Sequence, residues 1–506
     1  MPSSTIVGAG DASLKAPEET TAPVCVATKD TLEFHLRPYR VPMDTLRVKH
    51  SAVLGMVTKL LGVTPRCDQY LELWPEGFET YNVMVPNLFD IPFCDFGVGT
   101  LVPDMRSIAA YVTSRRAKER AQLYFYGCPY CASHTAVMGT VWRGSGLTLA
   151  KNALAMEPEP DPEVFDDKEL AAINIAKKVG QVPATVTTDD ILLLAKNFTP
   201  KEQEAVVNAT AVMGFLNRFM DASGMTLEME AIETSLAKLT PSGWTPGVAY
   251  DKEADQELME EDRIEAEKRE QRNKKSGFFS FVKMLFGAKW ADSKSLGKIP
   301  TSDSGIFDRC KKDAGFVPYF IRKMEHPAAK KAFAFAFILR INQGSEEVPA
   351  ALKQIMCFQC ATNAGNPILR AHYAFLAMRS GVPLERLVQI SDETSTGGGA
   401  SAAEDAAMAL AQAASWTPTR MTSTLAGLIS RLYSPPAVIE LLITLSVNFS
   451  FHRWTSVYVP RRYEPEVAAF VKEFGTALGL PRFPCTTEQA DWEDLAAKQR
   501  KVRHKQ

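Results

Sequence analysis

The 506-residue chain is short of several things, and each shortage excludes a class of protein. Its nine cysteines are too few and too scattered for a disulfide scaffold. No stretch approaches the roughly 18 uncharged apolar residues that a membrane-crossing helix needs, and the best candidates, 332–339 and 441–451, fall well short. Neither sign of charge dominates. Fifty-seven basic against 59 acidic residues leave a formal net charge of −2, so no global basic field exists to hold nucleic acid. The opening, MPSSTIVGAGDASLK, lacks a basic segment followed by an apolar one and does not read as a secretory signal. What remains, 46% hydrophobic and 23% charged, is the composition of a soluble globular chain. Its length suits two or three domains of about 150 residues each. A reducing, cytoplasmic setting is the expectation. There a close cysteine pair is more often catalytic or metal-binding than structural.

The chain divides by composition. Residues 1–45, rich in Ser, Thr, Pro and Ala, read as a disordered N-terminal arm. Residues 46–244 and 301–485 form two blocks in which apolar residues recur at three and four, as in 168–179, 202–219 and 403–414. Strand-like alternation is confined to LYFYG at 123–127, so the expected fold class is all-α. Between the blocks, 245–300 begins with an almost wholly charged run and continues into the aromatic FFSFVKMLFGAKW at 278–290. The first part reads as a charged linker or a projecting helix; the second is expected to pack back onto the neighbouring domain, the alternative being a site for a protein partner or a membrane surface. The basic tail is 486–506.

The blocks resemble each other. PATVTTDDILLLAKNFTP (183–200) lies on PTRMTSTLAGLISRLYSP (418–435) without a gap, and CPYCASH (128–134) faces CFQCATN (357–363) farther upstream. Their shared order implies a tandem duplication.

The sharpest motif is Gly127-Cys128-Pro129-Tyr130-Cys131-Ala132-Ser133-His134. On a helix, steps of three drift by about 60°, so Cys128, Cys131 and His134 share one side. His134 can then exchange a proton with Cys131, and Cys128 can attack an oxidised Cys131 to form a disulfide. Other readings stay open. The cysteines can be buried as small hydrophobes, or the quartet can be of the glutaredoxin type. They can also join Cys357 and Cys360 at a zinc ion, because Cys128, Cys131 and His134 supply only three of four ligands. Covalent haem is excluded by Ala132, which stands where the histidine is required. No metal and no cofactor is expected.

YGCPYCASHTA, with the downstream run VTTDDILLLAKNFTPKEQEAVVNATAVMGFLNRFMDASGM, resembles the AhpD-like (alkylhydroperoxidase, carboxymuconolactone decarboxylase) superfamily, and is most similar to its peroxidase-related branch. The resemblance covers about residues 50–235. It implies two tandem AhpD-like helical domains, frequent homo-oligomers, and thiol-dependent reduction of a hydroperoxide substrate. Cys131 would be the peroxidatic cysteine, Cys128 the resolving one and His134 the proton shuttle. An external thiol or dithiol would reset the disulfide. The family's relay glutamate stands about twelve residues before the first cysteine, where this chain has Arg116. Glu119, one turn closer, is the candidate replacement. The second copy looks degenerate, with Asn363 in the place of His134, and an amide is no general base. The alternative function is therefore an inactive helical scaffold on the same duplicated fold.

Overall fold

The computed structural model describes residues 30–61, 63–89, 154–155, 159–238, 240, 244–275, 278–392, 398–399 and 401–485. Among these residues every regular element is helical and there is no strand. In chain order come α1 (Leu32–Leu36), α2 (Met43–Lys49), α3 (Ser51–Leu61), α4 (Cys67–Leu71) and α5 (Pro75–Leu88). After them come α6 (Asp167–Val179), α7 (Thr188–Asn197), α8 (Pro200–Ser223) and α9 (Met229–Lys238). Two helices follow, α10 (Gln256–Lys275) and α11 (Phe278–Leu296). The C-terminal half opens with α12 (Asp303–Ala314), α13 (Tyr319–Lys323) and α14 (Pro327–Ala336), the last running into a π turn at Phe337–Ile341. It continues through α15 (Ala350–Asn363), α16 (Pro367–Arg379), α17 (Leu384–Ser391), α18 (Ala402–Ala414), α19 (Ser423–Leu432), α20 (Pro435–Val457) and α21 (Pro465–Phe474).

The helix boundaries repeat. α6 and α18 match at both ends with a shift of 235 residues, as do α7 and α19, and α8 and α20 begin with the same shift. Local chemistry explains the match. Asp166 and Ser401 cap α6 and α18 through the backbone N–H groups of Glu169 and Glu404. Thr187 and Thr422 stand at the N-caps of α7 and α19, and Thr199 and Ser434 at those of α8 and α20, each followed by a proline in the first turn. The Val182–Pro183 and Thr417–Pro418 bonds are both cis. Farther upstream, α3, α4 and α5 begin 252 residues before α12, α13 and α14.

The two halves close on one core. α20 is buried continuously from Ala437 to Val457, which is why its apolar residues are spread around the whole helix rather than along one stripe. α8, buried along most of its length, crosses it. α5 packs on α14, and α1 reaches across to α19. Among the described residues no helix is long and apolar enough to cross a membrane.

Two segments differ from their expected roles. Residues 30–45, expected within the loose arm, contain α1 and the start of α2, with Leu32 and Leu36 in the core. In residues 245–300 the charged run, expected to be a linker or a projecting helix, forms α10 packed on the N-terminal half, and the aromatic segment packs back in α11 as its sequence suggested. α10 lacks an apolar face, but arginines from distant positions meet its acids: Arg40–Glu261, Arg47–Glu265 and Arg66–Asp262, each at 2.5 Å. Residues 1–29 and 486–506 lie outside the described residues.

Candidate functional site

Cys128, Cys131, His134 and Glu119 all lie outside the described residues, as does LYFYG at 123–127. The second cysteine pair is described, and it shows what a Cys-x-x-Cys helix does in this fold when it is built into the core. α15 starts at Ala350, so Cys357 and Cys360 sit in its middle turns, away from the positive N-terminal end that would favour thiolates. Both are fully buried and both are free thiols. The Cys360 thiol donates to the Ala411 carbonyl of α18 at 3.3 Å, and the Cys357 thiol faces the Thr444 carbonyl of α20 at 4.0 Å. Burial pushes the Cys360 thiol up to about 11 and Cys357 well above its ordinary value. Neither can supply a thiolate near neutral pH. Asn363, in the histidine position, accepts only a local bond from Gln359 at 2.9 Å.

The histidines of this half are equally occupied. His372 Nε2 pairs with the Glu464 carboxylate at 2.8 Å, both buried, beneath the ring of Phe316. Burial alone would raise the Glu464 carboxyl, but the charge and hydrogen bond of His372 outweigh it and hold it below the usual range. Glu464 also accepts from the Tyr319 N–H at 2.5 Å, tying α21 to the start of α13. In the N-terminal half Glu228, just ahead of α9, accepts from the Arg66 N–H at the start of α4. His452 is held neutral, its pKa pushed down to about 3 by burial and by Arg453 and Arg218.

Arg218 and Arg453, at matching places in α8 and α20, are structural. Arg218 donates to the Trp416 carbonyl at 2.5 Å and covers the Phe449 ring, while Arg453 reaches the Thr210 carbonyl at 3.4 Å.

The N-terminal half holds a cleft of about 710 Å³ between α3, α5, α8 and α11. Val53, Val57, Phe78, Tyr81, Leu216 and Met220 make its wall largely apolar. At one end His50 stacks on Phe78 with centroids 4.2 Å apart, and its Nε2 meets Glu72 at 3.0 Å. Lys49 joins the same carboxylate. Together they hold Glu72 below its usual pKa although burial opposes them. Along the cleft Asp292 of α11 accepts from the Asn87 amide at 2.7 Å, and burial raises its pKa to about 6. Sequence reasoning missed these residues. Asp292 falls in the stretch read as linker, and nothing in its neighbours signals a cavity. α11 also turns Phe286 and Trp290 outward, 60% and 67% exposed. Among the described residues no group of three or more His, Cys, Asp or Glu side chains is placed to hold a metal ion.

Comparison of the chain with protein-family models, with curated proteins and with solved structures finds no match.

Proposed function

We propose that the chain is a thiol-dependent hydroperoxide reductase with one reacting dithiol, Cys128 and Cys131, and a redox-silent C-terminal half. The observation that carries the reading is the CPYCASH motif, whose spacing would set Cys128, Cys131 and His134 on one side of a helix. The state of the second pair narrows it. Cys357 and Cys360 are sealed thiols bonded to backbone carbonyls, which supports assigning the proposed chemistry to the first pair.

The Cys131 thiolate attacks the terminal oxygen of the hydroperoxide and the O–O bond breaks. The alkoxide takes a proton from His134 and leaves as the alcohol, and Cys131 becomes a sulfenic acid. Cys128 then displaces the sulfenic oxygen. Its thiol proton passes through His134 to the leaving hydroxide, which departs as water, and a Cys128–Cys131 disulfide remains. An external dithiol reduces it and is itself oxidised. Glu119 is the candidate carboxylate for orienting His134.

The scaffold reading rests on a different observation, the outward aromatic side chains Phe286 and Trp290 of α11, which suit a protein partner. His134→Ala separates the two. The reductase reading expects Cys131 to oxidise at least tenfold more slowly with the circular dichroism spectrum unchanged. The scaffold reading expects no change in oxidation and loss of a partner on Trp290→Ser.

A further inference from the structure

We propose that the cleft between α3, α5, α8 and α11 binds a small hydrophobic amine, whose ammonium group pairs with Asp292. The inference is independent of the dithiol chemistry.

A cleft of about 710 Å³ lies within the range of small-molecule sites, and its apolar wall matches their usual lining. The charged groups around it decide what kind of molecule it takes. Glu72 is engaged by Lys49 and His50. Glu79 is engaged by Arg340 at 2.7 Å and Lys298 at 2.5 Å. Lys294 lies against the Trp290 ring, 5.5 Å from its centroid, and Glu76 is exposed at the rim. Asp292 is different. Only 8% of it is exposed, and its hydrogen-bond partner is the uncharged Asn87 amide. Among the described residues no lysine or arginine stands within ion-pair distance of it, and Lys289 and Lys331 act only from farther away.

A nearly buried carboxylate without a cation is unfavourable unless something completes it. An ammonium group entering the cleft would do so with a charge-assisted hydrogen bond, while its hydrocarbon body covers the apolar wall. The rings of Phe78 and Tyr81 line the same space and suit a cation. A carboxylate of the same length would be repelled, and an alcohol would gain only an ordinary hydrogen bond.

The test is isothermal titration of the full-length protein with decylamine, decanoate and decanol, each kept below its micelle-forming concentration. Decylamine should saturate a single site and bind at least tenfold more tightly than decanoate or decanol. Asp292→Asn, which keeps the shape and removes the charge, should weaken decylamine at least tenfold and leave decanol unchanged. Ala291→Trp, which fills the cleft, should abolish saturable binding, with circular dichroism checking that the variant is folded. Cys131→Ser should bind decylamine as the wild type does. Equal affinity for decylamine and decanoate, no saturable site, or an Asp292→Asn protein that binds decylamine normally would overturn the proposal.

Discussion

Gly214 of α8 and Phe449 of α20 occupy equivalent positions in the two halves, and they touch where the two helices cross. A Cβ on residue 214 would stand 2.8 Å from the Phe449 carbonyl carbon and closer still to its oxygen. Glycine is therefore required by the close approach of two backbones, not by a turn. The crossing joins like to like, as a two-fold interface between subunits would, but within one chain.

Gly214→Ala should force α8 and α20 apart and cost about 2–3 kcal/mol, in the range of overpacked cores. Urea unfolding would measure it. A change under about 0.5 kcal/mol, the level of an ordinary surface substitution, would contradict the close crossing.

The His372–Glu464 pair sets an acid limit on stability. Glu464 has a folded pKa below its unfolded one, so its contribution is present above the unfolded value of 4.5 and is lost as the pH falls through the lowered folded value. Glu464→Gln removes the carboxylate that pairs with His372, while its amide oxygen can still accept from the Tyr319 N–H. It should cost about 1–3 kcal/mol at pH 7, the range for losing a buried hydrogen bond to a charged group, and flatten the stability profile below pH 4.5. Thermal melts from pH 3 to 7 would test both effects.

Asp68 has the opposite sign. Its carboxyl is fully enclosed with neither oxygen hydrogen-bonded, and burial, then Glu228 and Glu72, push its pKa up to about 8. The folded state thus holds this proton more tightly than the unfolded chain, and stability falls as the pH rises from about 4 to about 8. Asp68→Asn should stabilise the protein by on the order of 2 kcal/mol at pH 8 and much less at pH 5. Equal effects at the two pH values would show that Asp68 does not carry the proton.

Cys357 and Cys360 should react with iodoacetamide only when the core opens. Their modification should follow the rate of global unfolding and accelerate in Gly214→Ala. Rapid labelling of either in the native protein would contradict the buried, carbonyl-bonded thiols.

The all-α character and the pairing of α6–α8 with α18–α20 were legible because caps and prolines recur letter for letter or in kind: Thr187 with Thr422, Thr199 with Ser434, Pro183 with Pro418. The pairing of α4–α5 with α13–α14 was hidden. There Cys67 faces Tyr319 and Trp74 faces His326, and the shared shape survives through packing volume rather than identity. α10 was misread because its acids are held by Arg40, Arg47 and Arg66, partners some 200 positions away that periodicity cannot reveal. Asp292 was invisible for the same reason, since its role comes from Asn87 on another helix.

The central claim is that one dithiol reacts and the other is structural. The direct measurement is to treat the native protein with one equivalent of an organic hydroperoxide, quench by alkylation, and map every cysteine by mass spectrometry. The account predicts a rapid Cys128–Cys131 disulfide, absent in Cys131→Ser, with Cys357 and Cys360 recovered as thiols. Cys128 and Cys131 that stay reduced, or that oxidise no faster than Cys67 and Cys485, would contradict it.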